Sequence, residues 1–568
     1  MSAEDFGIAP IKGEYSDAWP PINRSGFDSH IRIYSSVHQL TNHLKVPTDP
    51  NLDIASFVLS QFPHPHDAEL KLALIDSATK QQLTYAQLYR SIRSLSGGLY
   101  HLGVRKGDVV FLFSPNSLLY PIICLAIFSS GAVLSHANAI NTPSKIAKQV
   151  VDSGAKLVIS APEELHKFEQ IRVPMIVTSH QSKNSGSLSI EELIECGDPH
   201  ELPEINIEQT DTAAILYSSG TTGTSKGVIL THSNLITTAR LVRWYAEETS
   251  SQKDIFLGFI PIFHIYGLGF FGFGLFCSGI TTVLMQRFDL QEMVKAIEVH
   301  KVNNIPAVPP MVLGLVKYCK GNSSLSTVRR IGSGAAPLSK ELTEAFRAQF
   351  PWAELRQGYG LTESCGAATT FVRDEAAKAH PGSCGALLPT FSAKVVDIDT
   401  GLAFPPYKEG ELWLKGPAVM KGYLRNEEAT IATLDKEGWL KTEDLGYFDE
   451  EGFLYIVDRI KELIKHNGYQ VAPAELEAVL LTHPNVLDAA VIPVEDEESG
   501  QIPMAYVVKE YDSQLTQEQV IQFVAAQVAP YKKVRRVGFI DAIPKSAAGK
   551  ILRKQLILQA QNPIHSKL

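Results

Sequence analysis

Tyr217–Val228 reads Y-S-S-G-T-T-G-T-S-K-G-V. Gly220 and Gly223 stand among the hydroxyl residues Ser218, Ser219, Thr221 and Thr222, and Lys226 follows. Glycine lets backbone N–H groups come close to a phosphate. Hydroxyls donate to its oxygens and a lysine supplies a point charge. No glycine directly precedes the lysine, so the order is not that of a Walker loop. A surface spacer would have a similar composition. The apolar runs Ala213–Leu216 and Val228–Leu230 on either side instead set the loop between two strands.

Outward from this loop the pattern is α/β. Tyr85–Leu102 is an amphipathic helix stopped by Gly103. Val109–Phe113 is a strand and Leu119–Ser130 a helix, and Lys156–Ser160 and Pro174–Thr178 are strands. Strands alternating with helices predict parallel sheets. Gly410–Tyr423 alternates and turns on glycines, which predicts a small β-rich unit. Beyond Asp458–Lys461 come a helix over Ala474–Leu481, a strand over Ala489–Pro493 and a helix over Gln517–Val528, a compact unit of their own. Residues 1–50 carry little periodicity and are expected to wrap the surface as an extended arm.

Bulk properties exclude several classes. The chain has 568 residues, 45% of them hydrophobic and 20% charged, with a formal net charge of −9. That composition is globular, too long for one simple core, and gives no basic footprint for nucleic acid. The six cysteines have no C-x-x-C spacing and read as reduced thiols. Val109–Ala137 and Ile265–Met285 lack charge and are long enough to span a bilayer. Prolines and polar residues interrupt the first and glycines the second, so both are expected as buried helix and strand. The start, MSAEDFGIAP, shows no secretory signal. The end, Ser566-Lys567-Leu568, has the form of a peroxisomal address read by an import receptor.

Six further runs stand out. Pro261–Gly267 (P-I-F-H-I-Y-G) sets His264 and Tyr266 between a proline and a glycine. Ser333–Leu338 (S-G-A-A-P-L) is small enough for a flat ring to lie on its backbone. Gln357–Glu363 (Q-G-Y-G-L-T-E) offers an aromatic face in Tyr359, a hydroxyl in Thr362 and a hard oxygen ligand suited to magnesium in Glu363. Lys441–Tyr447 contains Glu443-Asp444. Asp458–Val471 contains Arg459, Lys461, Lys465, Asn467, Gly468 and Gln470. Pro544–Arg553 contains Lys550. Taken singly, His264 reads as a core histidine and the lysines as a solvated face.

In this order, over nearly the whole chain, the runs resemble the adenylate-forming superfamily of acyl-CoA synthetases, 4-coumarate–CoA ligases, beetle luciferases and peptide-synthetase adenylation domains. The chain most resembles the plant peroxisomal 4-coumarate–CoA ligase-like group. The resemblance implies an arm over residues 1–50 and a large AMP-binding domain over 51–457. That domain would hold two parallel-type α/β subdomains and a β-rich subdomain at about 385–457. It also implies a hinge at 458–461, a small mobile α+β cap domain over 462–557 and a tail over 558–568. The implied reaction joins a small-molecule carboxylic acid to coenzyme A with ATP and Mg²⁺.

By the same resemblance Ser218–Gly223, Lys226, Gln357, Gly358, Tyr359, Thr362, Asp444, Arg459, Lys461, Lys465 and Lys550 hold ATP or AMP, with Asp444 and Arg459 on the ribose and Glu363 on the metal. His264, Tyr266, Gly334, Ala335, Gly358, Gly366 and Ala367 line the acyl pocket. Arg287, Asn467, Gly468 and Gln470 meet coenzyme A. The catalytic set is Lys550, His264, Lys465 and Thr362, with Lys550 serving adenylation. The family usually has glycine at Glu443, whose carboxylate is expected to point to solvent. Gly366 and Ala367 replace a proline and a valine of 4-coumarate–CoA ligases, which implies a roomier pocket. The implied acid is of the 4-coumarate or cinnamate type, used in peroxisomal phenylpropanoid metabolism. The alternative is a medium-chain fatty or oxylipin acid of the jasmonate-precursor class. A luciferase-like oxygenase is a remoter alternative, since Phe263-His264-Ile265-Tyr266 departs from that group's pocket segment.

Overall fold

The computed structural model describes residues 25–40, 45–179, 188–200, 202–218, 225–249, 253–319, 321, 323–546 and 549–561. Ser219, Gly220, Thr221, Thr222 and Gly223 of the glycine-rich loop, and Ser566-Lys567-Leu568, lie outside the described residues.

Val109–Phe113 is apolar at every position and buried throughout, as a strand covered on both faces requires. It lies inside a seven-stranded sheet, parallel to Val133–His136 on one side and Ala155–Ser160 on the other. At one edge Thr212–Ser218 and Lys226–Thr231 pair antiparallel, with Lys226 opposite Ser218. The apolar runs beside the glycine-rich segment are therefore the two strands of an antiparallel pair.

A second sheet has nine strands. Its inner strands Glu354–Leu361, Arg330–Ser333, Asn304–Ala307, Ile255–Gly258, Thr281–Leu284 and Leu72–Asp76 run parallel. Antiparallel strands close both ends. The expected parallel sheets are thus parallel at the centre and mixed at the edges, where hairpins need no crossover helix.

The third sheet is antiparallel and contains Ser392–Val396, Gly410–Lys415, Leu440–Phe448 and Leu454–Arg459. Here the expected surface arm is corrected in part. Phe27–Asp28 and Ile33–Ser35 join this sheet through pairing with Ser392–Ala393. The cause is Tyr34, which is 1% exposed and stacks on Phe448 with ring centroids 4.1 Å apart. An aromatic anchor of that kind turns a loop into an edge strand.

The C-terminal part builds a separate five-stranded sheet around Val486–Asp496 and Gly500–Lys509. Helices Pro473–Leu481 and Gln517–Ala525 pack on it over a core that includes Leu476, Leu480, Val491, Val507 and Val524. Val486–Asp496 is longer than Ala489–Pro493 because its neighbour pairs it nearly residue by residue as far as Asp496.

The two uncharged stretches dissolve into short pieces. Val109–Ala137 becomes strand, the buried helix Leu119–Ser129, and strand. Ile265–Met285 becomes a helical turn, a π-helix over Leu268–Gly274, a 3₁₀ turn and a strand. A Cβ on Gly274 would meet the Gly269 carbonyl oxygen at 2.3 Å, so the π-turn can close only over glycine. Among the described residues no helix is long and apolar enough to cross a membrane.

Candidate active site

One tyrosine joins a cavity to a charged seam. Tyr359 sits on Glu354–Leu361 and donates its hydroxyl to Asp444 Oδ2 at 2.5 Å. Asp444 lies opposite Arg459 in the antiparallel pair Leu440–Phe448 and Leu454–Arg459, and Arg459 Nε is 3.2 Å from Asp444 Oδ1. Burial pushes the Asp444 carboxyl up from the usual range, while Arg459 and the Tyr359 hydroxyl oppose that rise. Burial, then the neighbouring Asp444 charge, drives the Tyr359 phenol well up, so it stays a donor.

Lys550 reaches this charged seam from the C-terminal part. Its loop is a tight turn: Lys550 N donates to Ser546 Oγ at 3.1 Å, and Gly549 has φ 78°. A Cβ on Gly549 would lie 3.2 Å from Pro310 Cδ, so glycine permits the close approach to the helix starting at Pro309. Lys550 Nζ is 3.8 Å from Glu462 Oε1, and Arg553 holds the other oxygen of Glu462 at 3.3 Å. Burial, with the nearby Arg459 charge, lowers the ammonium's pKa, and Glu462 and Asp444 partly restore it.

A neighbouring recess gathers Ser218, Lys226, Glu363, Thr442, Glu443, Arg459 and Lys461. Glu363 accepts a hydrogen bond from the Tyr423 hydroxyl at 3.0 Å, and Lys226 Nζ stands 4.7 Å over the Tyr423 ring. Thr362 precedes Glu363 in the turn after Leu361, partly exposed. Among the described residues no three His, Cys, Asp or Glu side chains converge as a metal cage. A single carboxylate fits magnesium, which keeps waters and takes its other ligands from phosphates.

Glu443 has the solvent exposure expected of it, and it also has a partner. Lys461 Nζ lies 2.5 Å from Glu443 Oε1, with the two side chains 43% and 42% exposed. The reason is local: Glu443 has φ 59°, and from that left-handed backbone its carboxylate meets the ammonium.

The second recess is a cavity with about 1090 Å³ of open space, counting its mouth. It brings together all the expected acyl-pocket residues, His264, Tyr266, Gly334, Ala335, Gly358, Gly366 and Ala367, together with Tyr359 and Gln357. Tyr266 N donates to His264 Nδ1 at 3.2 Å, so the other ring nitrogen carries the proton in the neutral ring. Burial pulls the His264 pKa down to about 4, which keeps that ring neutral near pH 7. The Tyr266 hydroxyl donates to the Gly332 carbonyl at 3.0 Å and sets the ring as a wall. Gly366 has φ 110°, and its carbonyl oxygen would lie 2.1 Å from a Cβ on Gly360. These glycines let two strands cross tightly at the cavity rim.

Several lining residues were not singled out from the sequence. Thr238, Leu241, Val242 and Tyr245 form one wall from the helix His232–Thr249. Their i, i+3, i+4, i+7 spacing is the signal that could have found them. Asn304, Arg330 and Arg356 also line the cavity.

Five expected residues stand apart. Ile464–His466 and Tyr469–Val471 form a hairpin whose turn, Asn467-Gly468, has φ 50° and 80°. Lys465, Asn467, Gly468 and Gln470 are exposed there and line neither recess. Arg287 is exposed beyond the strand Thr281–Leu284 and lines neither recess.

Comparison with known proteins agrees with this arrangement. Residues 65–424 match the model of the AMP-binding enzyme family, and residues 475–550 that of the AMP-binding enzyme C-terminal domain. The peroxisomal OPC-8:0-CoA ligase 1 of Arabidopsis thaliana is 43% identical over 94% of this chain and 97% of its own. The 4-coumarate–CoA ligase-like 4 of Oryza sativa subsp. japonica is 43% identical over 95% and 98%. The O-succinylbenzoate coenzyme A synthetase of Bacillus subtilis, solved with ATP and a magnesium ion, superposes with a TM-score of 0.75. It is 31% identical and covers 89% of this chain and 99% of its own. The chain belongs to the AMP-binding enzyme family and is an ATP-dependent, AMP-forming acyl-CoA ligase that uses ATP, Mg²⁺ and coenzyme A.

Proposed function

We propose that the ligase activates a medium-chain acid of the oxylipin type at the junction of the cavity and the charged seam. The observation carrying this reading is that Tyr359 lines the cavity and also bonds Asp444 in the seam. An acid in the cavity thus presents its carboxylate beside the nucleotide. Gly332, Gly334, Gly366 and Ala367 line the cavity without bulky side chains, and a relative at 43% identity is named for OPC-8:0.

The carboxylate oxygen attacks the α-phosphorus, and the bond to pyrophosphate breaks with its electron pair. Lys550 draws the two anions together and stabilises charge on the α-phosphoryl oxygens. Asp444 receives the ribose hydroxyls. Arg459 and Tyr359 hold one lone pair on each of its oxygens and leave others free. Lys226, Thr362 and the backbone of Ser218–Gly223 receive the phosphates, with Gln357, Gly358 and Lys461 around the nucleotide. Bound beside Glu363, magnesium supplies positive charge against the phosphate oxygens. In the second half the coenzyme A sulfur attacks the carbonyl carbon and AMP leaves with the electrons of the anhydride bond. Lys465, Asn467, Gly468, Gln470 and Arg287 serve that half. Their hairpin is outside the seam that Lys550 occupies, so the cap domain exchanges faces by rotation at the hinge 458–461.

A second reading, a 4-coumarate or cinnamate-type acid, draws support from the aromatic wall. There the Tyr266 and Phe270 rings meet edge to face with centroids 5.5 Å apart. The peroxisomal destination expected from Ser566-Lys567-Leu568 has support in the relative named peroxisomal. The test is a panel of acids assayed by pyrophosphate release and acyl-CoA mass. Medium-chain and oxylipin acids are expected to exceed cinnamates in kcat/KM, and the reverse order would move the assignment to the second reading.

A further inference from the structure

The floor of the acid cavity carries donors that the acyl-AMP chemistry does not use. Arg356 is 6% exposed and forms part of the cavity lining. Its Nη2 donates to Glu354 Oε2 at 2.5 Å. Its Nε and Nη1 are fully shielded and have no hydrogen-bond partner among the described residues. Buried guanidinium donors left unpaired are costly, on the order of 1–3 kcal/mol each, and because Arg356 lines the cavity, a turn of its side chain into that space would bring them to an acceptor on a bound acid.

Strand register places this group well below the reacting end. Gly332 pairs with Arg356, and Ser333 with Gln357. On alternating strands Arg330, Gly332 and Gly334 share one face, as do Arg356 and Gly358. Gly358 adjoins Tyr359, beside which the carboxylate is proposed to sit, and a Cβ on Gly334 would lie 3.5 Å from the Gly358 carbonyl oxygen, so both mark the reacting end. At about 3.3 Å per residue, Arg356 lies roughly 7 Å, and Arg330 roughly 13 Å, further down. A Cβ on Gly332 would meet nothing within 4 Å, so the path between the two ends is open.

The charge around Arg356 is already balanced. Arg330 Nε is 3.5 Å from the same Glu354 oxygen, and Arg330 Nη1 is 3.4 Å from Asp254 Oδ2 and donates to Asn304 Oδ1 at 2.8 Å. Two guanidinium groups face two carboxylates, a formal sum of zero. A second carboxylate on the substrate would add an unbalanced buried charge. An uncharged oxygen with free lone pairs would satisfy the donors without that cost.

We propose that Arg356 is a specificity residue that recognises an uncharged, hydrogen-bond-accepting oxygen, foremost a ketone, on the far part of the acyl group. This deepens the medium-chain reading and rests on it. The test compares oxo acids of six to twelve carbons, the ketone next to the terminal carbon, with their unsubstituted parents and with dicarboxylic acids of equal length. Pyrophosphate release is read for the wild type, Arg356→Met and Arg356→Met/Glu354→Met, the last removing the carboxylate that in the first loses its shorter guanidinium contact and keeps only Arg330. The wild type is expected to prefer the best oxo acid over its parent by about tenfold or more in kcat/KM, and over the dicarboxylate by a similar factor. Both variants are expected to bring the oxo-to-parent ratio close to one. A wild-type ratio near one overturns the proposal, and so does a high ratio that survives in both variants. A dicarboxylate preferred over the oxo acid overturns the uncharged-ligand assignment. If only cinnamates are activated, the medium-chain reading falls by itself. The role of Arg356 is then decided by 4-hydroxycinnamate against cinnamate, where a ratio insensitive to both variants overturns it.

Discussion

The acid cavity and the charged seam share Tyr359 but are built on opposite principles. The cavity is walled by strands and one helix face, and its shape comes from what is missing: side chains at Gly332, Gly334, Gly358 and Gly366. The seam is made of side chains that reach across chain segments, Tyr359 to Asp444, Arg459 to Asp444 and Lys550 to Glu462. A site defined by absent atoms is preformed and selects by shape. A site defined by converging charges can be assembled and taken apart, as a two-step reaction needs. Damage to the seam should therefore cost rate with every acid, and damage to the cavity should re-order the acids.

The largest expected effect is at Lys550. Lys550→Ala should lower acyl-adenylate formation by about 10²–10³-fold, the usual cost of removing one preorganised charge from an anionic transition state. Thioester formation from a supplied acyl-adenylate should fall much less. Equal losses in both halves, measured by single-turnover assays, would mean that the lysine serves both faces.

Next in size is Gly332→Val. The new side chain enters the open space beside Arg356 and should lower kcat/KM for medium-chain acids by about tenfold or more relative to short ones, since pocket shape is worth about 1–3 kcal/mol per methylene. A uniform loss across chain lengths would instead place Gly332 in the support of Tyr266, whose hydroxyl its carbonyl accepts.

This contrast also explains what was legible in the sequence. His264, Gly334 and Gln357–Gly360 stand in contiguous runs whose chemistry is local, and the structure sets them around one cavity. The strand pair beside the glycine-rich segment was legible from the apolar runs on its two sides. The wall from Thr238 to Tyr245 was written in a helical period but carries no reactive group to draw notice. The pairing of Glu443 with Lys461 depends on a positive φ and a chain reversal, and neither residue type declares that. Tyr34 joined a sheet hundreds of residues away through one aromatic stack, and a local pattern cannot announce a distant partner.

A smaller effect concerns pH. Burial holds the His264 pKa near 4, against about 6.5 in an unfolded chain. The unfolded chain then binds a proton that the folded one refuses, so this histidine's contribution is intact above pH 6.5 and is lost as pH falls towards 4. Relative to wild type, His264→Asn should gain about 1–2 kcal/mol between pH 7.5 and pH 5, read from paired urea titrations. A difference independent of pH would show that the ring is not buried neutral.

The smallest expected effect tests whether the seam can be taken apart. Glu443 holds a left-handed backbone where glycine would sit without strain, and its carboxylate is tied to Lys461 at the hinge. The strain costs about 1 kcal/mol and an exposed pair returns about 0–1 kcal/mol, so Glu443→Gly should leave stability nearly unchanged. If the cap rotates as proposed, the pair exists only while Lys461 faces the seam, the arrangement in which Lys550 also reaches it. Removing it should therefore shift the balance of faces without touching either reaction. Pyrophosphate release should slow by no more than about threefold, within the worth of an exposed pair, while thioester formation holds or quickens. Glu443→Gln, which keeps the strained backbone but weakens the pair, should do the same to the rates and also lower stability slightly. If both variants slow both halves equally, the pair is a fixed brace of the fold and the hinge turns elsewhere.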